Sequence, residues 1–255
     1  MLWLFVRRDL REQYAGTLLG GAWAVLQPLL QIAVYWWVFG VVWALKVPAL
    51  GERDLELPFA VFLLCGLLPW LAFQEALNKA TGSVLAQASV LRHGPFPMAV
   101  FPLSKVLAVH LVFAGLLLVF AGLVAGAAIR AEPVVLLGLV VVYSLQVVLA
   151  CGLGLLLAAI AVYLRDLQHL IAMLLMFLFF TAPILYPLSQ VPEVMRTWMW
   201  VNPFTPFVVS YHSLLLAGTL PSLAVWGYLV VLSVSVSWLG RTVFRRLRPG
   251  FADVV

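Results

Sequence analysis

The chain has 255 residues, 65% of them hydrophobic and only 10% charged, with a mean hydropathy of +1.10. A soluble domain carries about 25% charged residues, so a soluble globular fold is excluded and lipid is the solvent. The net charge of +5 sits at the ends of apolar runs rather than in a patch with exposed aromatics. That sets nucleic acid aside as a partner and makes the charge a matter of membrane topology.

Residues 1–16 read as an interface helix. A period of 3.6 gathers Trp3, Val6, Leu10 and Tyr14 on one stripe and puts Arg8, Arg11 and Glu12 across from it, with Phe5 breaking the polar face. Such a helix is expected to lie in the headgroup plane, with Arg7, Arg8 and Arg11 among lipid phosphates. A plain positive-inside flank would have the same composition.

Six apolar runs follow, at 17–44, 58–77, 99–129, 133–163, 167–187 and 221–244, and spanning takes about 20 helical residues. They are continuously apolar rather than alternating, which predicts helices and not a barrel. The fold class is therefore all-α integral membrane, a single transmembrane domain over 1–255 with six transmembrane helices. Pro58, Pro133 and Pro221 are placed to open three of them. The first run is too long for a cleaved leader and lacks a small-x-small site, so it is expected to be retained. Cys65 and Cys151 lie deep in apolar runs and read as small hydrophobes rather than a disulfide.

Orientation follows from Lys and Arg. Arg7, Arg8, Arg11, Lys79, Arg92, Lys105, Arg165, Arg241, Arg245, Arg246 and Arg248 fall on one side, and Lys46, Arg53, Arg130 and Arg196 on the other. The imbalance predicts both termini in the cytoplasm.

In the first run, Gln27 and Gln31 stand one turn apart beside Pro28, which predicts a kink. The two amides suit polar glue between helices or a translocation path. Pro69 and Trp70 interrupt the second run, and Glu75 four residues before Lys79 predicts a helical ion pair, read here as solvated. The connection Thr81 to Pro102 is expected to form a short helix from Ser83 to Leu91, stopped by Gly94 and Pro95. His93 has no second ligand at metal spacing. The other inner connection, Tyr163 to Leu170, is a short polar knuckle, and together the two suit a cytoplasmic partner.

Residues 190–218 hold two apolar pieces, Pro192–Val201 and Pro206–Ala217, each too short to span. Asn202-Pro203 makes the corner, Thr205 is placed as an N-cap before Pro206, and Trp198, Trp200 and Phe204 sit at interface level. This predicts a re-entrant helical hairpin on the outer side between spans five and six.

The chain lacks a Walker A pattern around Lys46, Lys79 or Lys105. It also lacks HExxH, CxxC and GxSxG motifs and any pair of membrane acids at relay spacing. A non-catalytic membrane subunit without cofactor or metal of its own is the expectation, with driving energy from another subunit.

The segments RRDLREQYAGTLLGGAWAVLQPLLQ, GLLPWLAFQEALNKATGSV, LRHGPFPMAVFPLSKVL, YLRDLQHL and VNPFTPFV, in that order, resemble the permease subunit of polysaccharide ABC exporters. This is the ABC-2 membrane class of Wzm- and TagG-like O-antigen and teichoic-acid exporters, in the bacterial plasma (inner) membrane. The resemblance implies a second copy of the chain as partner, two copies of a separate nucleotide-binding ATPase that holds ATP and Mg, and a lipid-linked polysaccharide as substrate, O-antigen foremost. Ser83, Gln87, Leu91, Arg92, Arg165 and Asp166 would then couple to the ATPase, and Trp198, Asn202, Pro203 and Thr205 would form an outer gate. His212 departs from the pattern, where an arginine is expected.

A glycan is hydroxylated at its edges and apolar on its ring faces, so aromatic walls can stack on it and let it slide. Tyr35, Trp36, Trp70, Phe73 and Phe177 are candidates for that path, and Arg7, Arg8 and Arg11 for drawing in an undecaprenyl pyrophosphate. Export of teichoic acid, capsule or a small drug, an enzyme acting on lipid-linked sugars, and a proton-coupled transporter are the alternatives.

Overall fold

The computed structural model describes residues 1–12, 16–43, 59–87, 97–127 and 132–251, and every regular element among them is helical. Helix α1 is Leu2–Glu12. Helix α2, Trp23–Tyr35, is led in by a 3-10 turn at Gly20–Ala22 and continues as a π-helical stretch at Trp36–Val42. Helix α3 is Phe59–Thr81, α4 Val100–Ala127, α5 Pro133–Tyr163 and α6 Leu167–Thr181. Two short helices follow, α7 at Glu193–Met199 and α8 at Thr205–His212, the second extended by a π turn at Ser213–Ala217. Helix α9, Leu223–Leu247, ends in a 3-10 turn at Arg248–Gly250.

Five stretches among the described residues are long and apolar enough to cross a membrane: Gly20–Val42, Phe59–Thr81, Val100–Val124, Pro133–Tyr163 and Leu223–Gly250. This is an integral membrane helical protein. The run expected over 167–187 is helical only to Thr181, because the residue before a proline is pushed out of α conformation. Ala182, ahead of Pro183, is extended at φ −89° and ψ 148°.

Other expectations need correction. Helix α3 runs through Pro69 without the interruption expected there; α2 likewise continues through Pro28, and a departure from α geometry in the first span comes at Trp36–Val42. Pro133 does open α5, but Pro221 precedes the true cap of α9, Ser222, whose hydroxyl accepts from the Val225 N–H. Pro58 lies outside the described residues, as do Leu91, Arg92 and His93. Of the helix expected over Ser83–Leu91, the described part forms a 3-10 turn at Leu85–Gln87.

Helix α3 is the centre of the bundle. Leu63, Leu67, Trp70, Phe73 and Ala76 are all buried along it, sheathed by α4, α5, α6 and α8. Lipid offers no hydrophobic drive for helices to associate, so close packing and polar contacts must do it. Helices α5 and α9 use the first means. A Cβ on Gly240 would lie 2.0 Å from the Gly152 carbonyl oxygen, and one on Gly152 would lie 2.5 Å from Ser237 Cα. Only glycines permit that crossing.

A smaller apolar cluster closes the end of the bundle where the basic residues collect. Val84, Leu155, Ala158, Val162, Phe244 and Phe251 bury one another there, and the Tyr163 hydroxyl donates to the Leu247 carbonyl at 2.9 Å.

Candidate functional site

Helix α2 carries Gln27 and Gln31, and α3 carries Gln74 and Asn78, each pair at i, i+4 and so on one helix face. The structure turns the two faces toward each other across a cleft of about 260 Å³. Leu71, Pro28 and Phe113 contribute its apolar lining, and the Glu75–Lys79 ion pair lies along it. The Trp70 indole N–H donates to Gln74 Oε1 at 2.8 Å, which leaves the Gln74 amide protons to point elsewhere. Gln27 and Asn78 are exposed; Gln31, Gln74, Glu75 and Lys79 are half-buried. Among the described residues the four amides do not hydrogen-bond one another, so they are not glue between α2 and α3. An amide facing hydrocarbon without a partner costs several kcal/mol, on the order of 4–8. This face therefore belongs against water, substrate or protein.

Around the middle of α3, on its packed sides, the polar groups are closed. Gln146 of α5 donates from Nε2 to the Pro69 carbonyl at 2.9 Å and accepts from the Tyr211 hydroxyl of α8 at 2.8 Å, all in the core. Asn202 turns the chain between α7 and α8. Its Nδ2 donates to the Leu178 carbonyl at 2.8 Å and to Thr181 Oγ1 at 2.9 Å, while Oδ1 accepts from the Phe204 N–H at 2.9 Å. Asn202 thus closes an i, i+2 turn just ahead of α8, whose N-cap position is Phe204 without a side-chain cap; Thr205, expected as the N-cap, is the first helical residue, and its buried hydroxyl has no hydrogen-bond partner among the described residues. Pro203 beside it is half-buried.

The candidate aromatics divide. Trp70 and Phe73 are inside the subunit, at 0% and 1% exposure, Trp70 meeting Phe204 edge-on and Phe73 tilted against it, with centroids 5.0 and 4.8 Å apart. They have no accessible ring face here. Tyr35 is half-buried against Phe39 and Phe179, at 6.3 and 5.4 Å. Trp36, Phe177 and Trp198 are exposed. Phe177 and Trp198 line one cleft of about 410 Å³ with Phe180, Tyr186 and Asn202. His212 lies tilted against Phe62 with centroids 4.3 Å apart, and its buried Nε2 has no hydrogen-bond partner among the described residues.

Helix α1 is fastened to the start of α4. Val6 is buried, Phe5 meets Phe101 edge-on at 5.8 Å, and Asp9 accepts from Ser104 Oγ and Lys105 Nζ, both at 2.6 Å. Phe5, which breaks the polar stripe in the sequence, is a packing residue on the docked side. Arg7, Arg8 and Arg11 are left exposed. The hydrogen bond that Arg8 Nε donates to Glu12 Oε1 at 2.7 Å, and the attraction of that carboxylate, raise the Arg8 pKa above its ordinary value, so Arg8 is charged at every working pH.

The two connections at the basic end meet. Gln168 lies over Gly82, where a Cβ would fall 2.6 Å from its Nε2. Arg165 and Asp166 are exposed and Gln87 is half-buried. Ser83 is buried, its hydroxyl donating to the Ala80 carbonyl at 2.7 Å.

Sequence reasoning noticed Gln27 and Gln31 and the Glu75–Lys79 pair, but missed Gln74, Asn78, Asp9, Gln146 and Tyr211. For Gln74 and Asn78 the signal existed: a second i, i+4 amide pair in an apolar helix.

Residues 1–216 match the family model described as ABC-2 type transporter. The chain is 34% identical over 255 residues to the O-antigen export system permease protein RfbA of Myxococcus xanthus, covering 98% of this chain and 93% of that one. It is 25% identical to RfbA of Klebsiella pneumoniae, covering 100% and 95%. To the polysialic acid transport protein KpsM of Escherichia coli it is 24% identical, covering 93% and 90%. With the match running from α1 into the π turn after α8, the chain belongs to the ABC-2 type transporter family.

Proposed function

We propose that this chain is the membrane permease of an ATP-driven exporter that moves a lipid-linked polysaccharide through a path between two copies of itself. The observation that carries the reading is the amide-lined cleft of α2 and α3, open on the side of an otherwise apolar bundle. Facing lipid, that surface would be costly; facing a second copy across a water-filled path, it costs little and offers hydrogen bonds to a hydroxylated chain. Similarity to permeases named for O-antigen export and polysialic acid transport supports the substrate class.

In this reading the membrane is the bacterial plasma membrane and both termini are cytoplasmic. Helix α6, 15 residues and so about 22 Å long, crosses with the help of its extended tail, giving six crossings. Helices α7 and α8 form the re-entrant outer hairpin, held at Asn202. The chain itself is non-catalytic. Two ATPase subunits grip the basic end, where Gly82, Gln168 and the cluster around Phe251 join into one block, and ATP binding favours one state of the pair and so shifts the path. Exposed Arg7, Arg8 and Arg11 draw in the pyrophosphate of the undecaprenyl carrier, with O-antigen the leading glycan.

Co-expression with the ATPase encoded beside it, purification into nanodiscs and measurement of ATP turnover test this reading. A two-plus-two complex whose turnover responds to lipid-linked glycan is expected. A chain that captures no ATPase overturns it.

A further inference from the structure

We infer that the α2–α3 cleft is a subsite for one uncharged sugar ring of the passing glycan, and that it discriminates against anionic sugars and against the carrier's pyrophosphate. The inference rests on the permease reading and adds which part of the substrate the cleft takes.

The donor set decides the chemistry. Gln27, Gln31 and Asn78 each present a carbonyl and an amide N–H₂ side by side, which matches the paired donor and acceptor character of neighbouring hydroxyls. Gln74 keeps its N–H₂ for the cleft because its oxygen is occupied by Trp70. Leu71 and Phe113 supply apolar surface for the C–H face of a pyranose. A phosphate site needs converging cations or a bidentate arginine. Among the described residues on the lining, the cation Lys79 is paired with Glu75 one turn away, so their formal charges sum to zero. An anionic sugar would lose its hydration and meet the Glu75 carboxylate without a spare positive charge. The volume of about 260 Å³ falls below the roughly 300–1,000 Å³ of drug-sized sites, which suits one ring.

The arrangement also separates two tasks along the chain. Exposed Arg7, Arg8 and Arg11 on the docked α1 face the charged head of the carrier, and the neutral cleft takes the sugars that follow. Weak, exchangeable hydrogen bonds without an ion pair to the substrate let each ring leave as the next arrives.

The test uses Asn78→Cys in the full chain, co-purified with its ATPase in nanodiscs and labelled with a hydrophilic maleimide. The native chain sets the background, since Cys65 is buried and Cys151 half-buried. Gln27→Cys, at an exposed position, serves as a second variant if Asn78→Cys does not fold. Three competitors are added separately: a mixture of uncharged glucan, mannan and galactan oligosaccharides, oligosialic acid, and undecaprenyl pyrophosphate. The uncharged mixture, at ten times its dissociation constant, should slow labelling about ten-fold, and the other two should leave it unchanged.

Equal or better protection by oligosialic acid or undecaprenyl pyrophosphate overturns the selectivity. Absence of protection by any of the three, or absence of labelling, overturns the subsite. Where the ATPase still co-purifies, such a result leaves the permease reading standing. Where it does not, both fall.

Discussion

Two sets of side-chain amides lie along α3, and they are treated in opposite ways. Gln146 and its partner Tyr211 are buried, with both ends of the amide bonded to Pro69 and Tyr211. Gln27, Gln31 and Asn78 are accessible or partly so and unbonded to one another. In a membrane the first arrangement fastens helices and the second holds a surface ready for something polar. Side-chain amides in one helix bundle are thus bonded between helices at the packed side of α3 and left open on its face toward α2.

Gln146→Leu breaks the glue. It takes the Tyr211 hydroxyl's acceptor away in the core, at roughly 1–3 kcal/mol, and removes the side-chain tie from α5 to the Pro69 carbonyl, so the fraction of monodisperse protein surviving a heat step in detergent should fall sharply. Survival equal to the native chain would mean that the network fastens nothing. Asp9→Asn probes a charged version of the same device. It weakens an ion pair to Lys105 that is partly exposed while sparing the Ser104 contact, so a smaller loss of about 1 kcal/mol is expected, seen as faster proteolysis of α1.

Glu12→Gln removes an exposed pair. Its effect on heat survival should be only about 0.3–0.5 kcal/mol and flat from pH 6 to 9. Arg8 is held above its ordinary pKa, and the unfolded value already lies far above that window. A raised cation loses its contribution only as pH climbs past those values. Gln31→Leu with Asn78→Leu should change stability least, within about 0.5 kcal/mol. A loss matching that of Gln146→Leu would erase the distinction between the two amide sets.

Much of this architecture is legible in the sequence, because lipid imposes long apolar runs and the spacing of charges marks their ends. The Glu75–Lys79 pair is legible for the same reason, since i, i+4 is a local rule. The stop at Thr181 is hidden by the apolar run, which continues to 187 in the sequence, although Pro183 accounts for it once the helix is seen to end. What the sequence hides is long-range. Asp9 meets Ser104 across 95 positions and Gln146 meets Tyr211 across 65, and no periodicity announces either pairing. Aromatic rings are the hardest to read. Trp70 and Phe73 look like Trp36 and Phe177 in the sequence, yet burial by Phe204 makes the first pair core and leaves the second exposed.

The central claim is that the α2–α3 face lines the path. It is tested most directly by ATP-dependent translocation of lipid-linked glycan in proteoliposomes holding this chain and its ATPase, native against Gln31→Leu with Asn78→Leu. Translocation should fall at least about ten-fold, a change of roughly 1.4 kcal/mol, with complex assembly and heat survival intact. Undiminished translocation by the double variant would contradict the claim.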